Sequence, residues 1–310
     1  MKAVRFHSHG DSSVLRYEDA ATPTAAPGQV VIRVAGTSFN FLDVAIRLGA
    51  MADVMPVTLP HIPGIDVAGV VTEVGDGVSG WSAGDAVIAF LPATDDGAAA
   101  EYVAVPAAIL ARAPHSVALA DSATLPVGGL TARQALFDHA GLTSGQRILV
   151  NGAGGGVGGY AVQLAAATGA KVTATASPRS AERVRAQGAE RVVDYTETSV
   201  EDALAGDRFD VVLHLVRTSP EEAARLIDLV ADGGTFVSTT TPGPADPGRG
   251  IHVQQVFVRS DADQLTELVA RVDAGELTVD VAERHALSEL AAVQDRAVAG
   301  QLLGKTILTP

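Results

Sequence analysis

Residues 148–177 read ILVNGAGGGVGGYAVQLAAATGAKVTATAS, and this stretch decides the fold. Ile148 to Val150 is an apolar run of the kind that forms a buried parallel strand. A glycine-rich turn follows, and Tyr160 to Ala167 then places apolar residues at helical spacing. Gly169 closes that helix, and Lys171 to Ala176 reads as a second buried strand. Strand, glycine turn, helix and strand make a βαβ unit, the context that a dinucleotide fingerprint requires.

The glycines allow two registers. One is the literal G-x-G-x-x-G of Gly154, Gly156 and Gly159. The preferred one ends a residue earlier, at Gly155 and Gly158, with Gly152 or Ala153 leading. It sets the tight turn directly after the strand and puts Gly158 where the helix packs on the sheet. In either register the backbone around Gly155, Gly156, Val157 and Gly158 can bring N–H groups to a pyrophosphate.

An acid about 20 residues past the turn would hold the ribose 2′-hydroxyl of NAD. Here the second strand ends Thr175-Ala176-Ser177-Pro178-Arg179, and no carboxylate follows until Glu182. Ser177 offers a hydroxyl, and Arg179 or Arg183 could meet a 2′-phosphate. The expected cofactor is NADPH; the alternative is that both arginines are solvated residues of the next helix.

Composition narrows the class. The chain has 310 residues, of which 47% are apolar, enough for two globular domains. No apolar run reaches a membrane span, and the Met-Lys-Ala-Val start lacks a signal-peptide pattern. Cysteine is absent, which removes disulfides, thiolate zinc sites and a cysteine nucleophile, and suits the cytoplasm. The net charge of −14 argues against nucleic-acid and anionic-membrane partners.

Along the chain, residues 1–122 read as short strands separated by turn signals, among them Gly75-Asp76-Gly77 and Ala83-Gly84-Asp85. From about Ala123 helices alternate with strands, the signature of a doubly wound parallel sheet. The expected strands there include Arg191–Tyr195, Phe209–Leu215, Thr235–Ser238 and His252–Val258. The division is therefore residues 1–122 with 262–310 as a barrel-like β domain, and 123–261 as the dinucleotide domain.

This order, together with several local segments, resembles the medium-chain dehydrogenase/reductase superfamily, and within it the zinc-free quinone oxidoreductase (zeta-crystallin-like) branch. The segments are Asn40-Phe41-Leu42-Asp43, Pro63 to Gly69, Val74 to Val78, Gly84-Asp85, Ala100 to Val103, Leu125-Pro126, Gly129 to Ala132, Gly154 to Gly158 and Gly304 to Leu308. The resemblance implies an α/β protein with a GroES-like β-barrel catalytic domain, a Rossmann cofactor domain and a homodimer. The dimer is expected to pair along a sheet edge near Phe236 to Thr240. Zinc-dependent relatives ligate their metal with a cysteine and a Gly-His-Glu segment. Asn40 and Gly64-Ile65-Asp66 stand in those places here, so no metal ligands are expected.

The resemblance also assigns roles. Asn40 becomes the first candidate hydrogen-bond donor near the nicotinamide, with an amide capping the turn after Ser38 as the alternative. Thr131 resembles a threonine beside the carboxamide. Tyr195 follows the third Rossmann strand, at a position that contacts the adenosine end. Asp43 and Asp66 read as structural, bonding backbone around the cleft. Where the family has Asp followed by Val-Gly-Gly, this chain has His214-Leu215-Val216-Arg217-Thr218. His214 and Val216 are carried as cofactor contacts, with His214 also a candidate acid. Near Ala45 and Met51 the tyrosines of small-quinone reductases are missing. The expected activity is hydride transfer from NADPH to a quinone, with an enone or enoyl reductase and a non-catalytic NADPH sensor as alternatives.

Overall fold

The computed structural model describes residues 1–310, which fall into two units, Met1–Val127 with Ser260–Pro310, and Gly128–Arg259. In the first unit, β1 (Lys2–Phe6) pairs antiparallel with β2 (Leu15–Asp19) as a separate ribbon. Then come β3 (Gln29–Ser38), α1 (Phe41–Arg47), β4 (Asp66–Val74), β5 (Ala86–Phe90), β6 (Tyr102–Pro106) and β7 (Ala111–Arg112). These strands alternate at period two. Val30, Ile32 and Val34 of β3 face Val67 and Val71 of β4, Val87 and Ala89 of β5, and Val103 and Val105 of β6 in one buried cluster. Burying each such side chain contributes roughly 1.5–3 kcal/mol, which ties the barrel together without long helices.

The chain leaves through α2 (Leu125–Arg133), which begins Leu-Pro and runs on into a wider π-helical turn over Gln134–His139. Proline is harmless there because the first helical amides have no intrahelical acceptor. The second unit contains β8 (Arg147–Asn151), α3 (Gly158–Ala167), β9 (Lys171–Ala176), α4 (Pro178–Ala186), β10 (Arg191–Asp194), α5 (Val200–Ala203), β11 (Phe209–His214), α6 (Pro220–Leu226), β12 (Val230–Ser238) and β13 (His252–Gln255). Its strands are all parallel, in the order β10-β9-β8-β11-β12-β13. A parallel sheet is covered on both faces, so its strands read as continuous apolar runs, as Ile148-Leu149-Val150 and Val211-Val212-Leu213 do.

The order reverses between β8 and β11, which places the switch point of the sheet at the carboxyl end of β8. The expected pairing edge at Phe236 to Thr240 is corrected: β12 lies between β11 and β13, and Phe236 is fully buried. The outer strand is the short β13, brought there by the Pro/Gly-rich loop that follows β12. From Ser260 the chain is back in the first unit, with α7 (Ala262–Asp273), β14 (Val281–Ala286), α8 (Leu290–Val298) and β15 (Lys305–Thr309). The larger sheet of that unit runs β14-β15-β3-β4-β5-β7, with β6 on β3. No helix is long and apolar enough to cross a membrane.

Candidate active site

The glycine turn sits at the switch point. Gly152, immediately after β8, adopts φ +98°, a region that side chains rarely enter. Gly158 opens α3, and a Cβ there would lie 2.4 Å from the Gly152 carbonyl oxygen and 2.5 Å from Ala153 Cα. Gly155 differs: it is exposed, and a Cβ would meet only the Gly152 oxygen, at 3.4 Å. Gly154 and Gly159 press instead on the side chains of Ser180 and Gln187. The preferred register therefore has a distinct job for each glycine: a turn at Gly152, an open approach at Gly155 and close packing at Gly158. Ala153 is buried beneath the turn, while Gly156 and Val157 are half-buried before the first amides of α3, which lack intrahelical acceptors. An open backbone cradle at a helix N-terminus fits a dinucleotide pyrophosphate.

At the end of β9, Ser177 is buried at the N-cap position of α4 without a side-chain capping bond, and Pro178 takes the first helical position. Arg179 is exposed in the first turn. Arg183 turns toward the fingerprint, its Nη2 donating to the Gly154 carbonyl at 2.7 Å. This geometry separates the two arginines, with Arg183 supporting the turn and Arg179 displayed beside Ser177. Tyr195, just beyond β10, is 52% exposed. Thr131 is buried within α2.

His214, the last residue of β11, is fully buried. Its Nδ1 lies 3.0 Å from Asn151 Nδ2, and its Nε2 lies 3.0 Å from Thr218 Oγ1. Burial pushes its pKa down to about 4. The expectation of a candidate acid is corrected: His214 is neutral and both ring nitrogens are engaged inside the unit, so its side chain has nothing left for a cofactor. Val216, two residues on, is 37% exposed, with its methyl group over Gly152.

The first unit holds a polar hub. Asp66 is fully buried at the start of β4, and its Oδ1 accepts the Val127 N–H at 2.8 Å, in the first turn of α2. Its Oδ2 accepts from the Ser38 hydroxyl, from Asn40 Nδ2 at 2.9 Å and from the Lys305 ammonium at 3.2 Å. Lys305 Nζ also lies 3.2 Å from Asn40 Oδ1 and 3.4 Å from the Phe39 carbonyl. The Asn40 amide further donates to the Ser38 carbonyl at 3.1 Å. Both amide hydrogens of Asn40 are thus engaged, so the donor role expected of it is corrected, and the turn-holding alternative describes what the amide does.

Asp43, on α1, is buried too, and its Oδ1 accepts the Gly64 N–H at 3.0 Å. Burial, with Asp66 nearby, raises its pKa to about 7. Lys305 was missed in the sequence. The signal was there: a lysine heading the apolar strand Lys305-Thr306-Ile307-Leu308 needs a buried anion.

Zinc does not fit this hub. The chain has no thiolate, no three His, Cys, Asp or Glu side chains are grouped to hold a metal, and the Asp66 carboxylate already carries an ammonium.

Comparison with known proteins places the chain. Residues 26–115 match the model of the alcohol dehydrogenase GroES-like domain, and residues 187–308 match that of the zinc-binding dehydrogenases. The chain is 33% identical to a chloroplast envelope quinone oxidoreductase homolog of Arabidopsis thaliana, over all of this chain and 98% of that protein. It is 32% identical to a 2-methylene-furan-3-one reductase of Solanum lycopersicum, covering all of this chain and 79% of the relative. The quinone oxidoreductase structure from Coxiella burnetii superimposes with a TM-score of 0.91 at 28% identity, covering all of this chain and 99% of the other. The chain belongs to the medium-chain dehydrogenase/reductase superfamily and is quinone oxidoreductase-like. It is an oxidoreductase, and its family implies a nicotinamide cofactor.

Proposed function

We propose that this protein is a zinc-independent reductase that takes a hydride from NADPH and passes it to a quinone. The observation that carries the proposal is the hub of Asp66, Lys305 and Asn40, a closed set of charge and hydrogen bonds where a polarising metal would need open ligands. A carbonyl acceptor that needs a Lewis acid is poorly served there. A quinone needs none, because the added electron pair spreads over the ring onto both oxygens, and water supplies the proton that completes the hydroquinone.

Bound NADPH supplies the hydride. The protein's part is to hold and orient. The amides of Gly156 to Gly158 at the α3 N-terminus would receive the pyrophosphate, with Gly155 leaving its approach open. Ser177 and Arg179, with no carboxylate before Glu182, favour a 2′-phosphate over a bare 2′-hydroxyl. Thr131 is the hydroxyl assigned to the carboxamide, and Tyr195 the ring assigned to the adenosine end. A homodimer completes the proposal, paired along β13, beyond which Phe257 is 77% exposed. Sedimentation as a monomer at all concentrations would remove that part.

A second reading, reduction of an enone double bond, draws on the relative named 2-methylene-furan-3-one reductase and on Ala45 and Met51 in place of tyrosines. Oxidation of NADPH and of NADH against a quinone panel and an enone and enoyl-thioester panel separates the two. Turnover of quinones with preference for NADPH is expected. Turnover of enones alone moves the protein to the second reading, and binding without turnover of either panel removes both.

A further inference from the structure

The glycine turn is held by side chains that no fingerprint contains. Thr175 on β9 accepts the Gly152 N–H at 2.9 Å and gives its own hydrogen to Asn151 Oδ1 at 2.7 Å. With its carbonyl so occupied, the Asn151 amide presents its NH2 to His214 Nδ1. An NH2 can only donate, so Nδ1 is bare and the ring proton sits on Nε2, which donates to Thr218 Oγ1. Thr218 is in turn zipped to Thr241, its N–H donating to Thr241 Oγ1 at 3.1 Å and its carbonyl accepting that hydroxyl at 2.9 Å.

From the Gly152 N–H to the Thr218 hydroxyl each bond fixes the direction of the next, and Thr241 in the loop after β12 holds the Thr218 backbone. Packing follows the same route. A Cβ on Gly152 would lie 2.8 Å from Val216 Cγ2 and 3.3 Å from Leu215 Cβ, so the loop after β11 lies directly on the turn. Asn151, Thr175 and His214 are all buried, and each has its partners within the relay. A glycine has the widest choice of backbone conformations, so an outside constraint on the Gly152 peptide selects among them.

We propose that His214 is a positioning residue for the dinucleotide turn: through Asn151 and Thr175 its neutral imidazole sets the Gly152 peptide, and with it the turn that receives the cofactor pyrophosphate. The role goes beyond the fingerprint glycines and rests on the NADPH-binding reading above. It gives the unusual His214 to Thr218 stretch a function in place of the acid chemistry its histidine suggested.

The test is the dissociation constant for NADPH, read by nicotinamide fluorescence on the full chain, alongside the melting temperature. His214→Phe keeps a ring of similar size but leaves the Asn151 NH2 without an acceptor, and is expected to weaken NADPH about tenfold. Thr175→Val breaks the relay one step nearer the turn and is expected to weaken it by a similar factor. The double variant should fall within about twofold of either single one, because the two act through one relay. His214→Asn, whose carbonyl can take the Nδ1 place, should restore most of the affinity.

An unchanged dissociation constant in His214→Phe with a lowered melting temperature would make the histidine a core residue only and overturn the proposal. Fully additive losses would overturn the relay. Should His214→Phe not fold, unchanged affinity in Thr175→Val decides against the proposal by itself. Wild-type protein that binds neither NADPH nor NADH would remove the cofactor reading, and this role with it, whereas the preceding outcomes leave that reading standing.

Discussion

The glycine turn of the second unit and the Asp66 hub of the first are built from opposite materials. The turn is backbone: its requirements are a positive φ at Gly152, an open side at Gly155 and no Cβ at Gly158. Each forbids side chains, so each leaves a mark in the sequence. The hub is side chain: a carboxylate, an ammonium and an amide that meet from β4, β15 and the start of α1. Of its residues only Lys305, at the head of an apolar strand, stands out alone, and what defines the hub is their meeting in the fold. The difference teaches that a site made by excluding side chains can be read locally, whereas one made by pairing them needs the tertiary structure.

Breaking the hub should cost more than disturbing the turn. Asp66→Asn removes the charge that faces Lys305 and leaves a buried ammonium unpaired. Urea unfolding should show a loss of about 3–5 kcal/mol, and adding Lys305→Met should recover part of it. A loss below about 1 kcal/mol would mean that the pair is no more than a surface-like contact.

Asp43 sharpens the comparison through pH. Its folded pKa of about 7 lies above the ordinary 3.8, so the native state holds this proton more tightly than the unfolded chain. Its contribution is then fully present below about pH 4 and is lost as pH rises toward 7. The gap corresponds to at most ~4 kcal/mol, at ~1.4 kcal/mol per pH unit. Asp43→Asn keeps an acceptor for the Gly64 N–H and cannot titrate, so relative to wild type it should gain stability between pH 4 and pH 7.5. Parallel stability curves for the two proteins would contradict the buried-carboxyl account.

Within the turn, the glycines should separate. Gly158→Ala drives a Cβ to 2.4 Å from the Gly152 oxygen and should cost about 1–3 kcal/mol, with loss of NADPH binding. Gly155→Ala meets only one atom, at 3.4 Å. It should change the melting temperature little and act on cofactor affinity alone, since only an approaching pyrophosphate would meet the new methyl group. Equal effects on stability at both positions would mean that the turn is an ordinary connector.

Much of the second unit was legible because parallel strands are apolar throughout and the glycine pattern falls between two of them. The first unit was legible as short alternating strands, as Val30, Ile32 and Val34 show. Illegible were features set by distant partners. Lys305 finds Asp66 across 239 residues, and β13 takes the sheet edge that the sequence suggested for Phe236 to Thr240. His214 read as a possible acid because a histidine at a strand end carries the right intrinsic chemistry. Only the fold shows that Asn151 and Thr218 engage both its nitrogens.

The proposed reaction is NADPH-dependent quinone reduction without a metal. Its most direct test is the rate of NADPH oxidation by a quinone before and after exhaustive chelation, with zinc then added back. The expected result is turnover that chelation leaves unchanged and zinc does not raise. Turnover that disappears with the chelator and returns with zinc would contradict it.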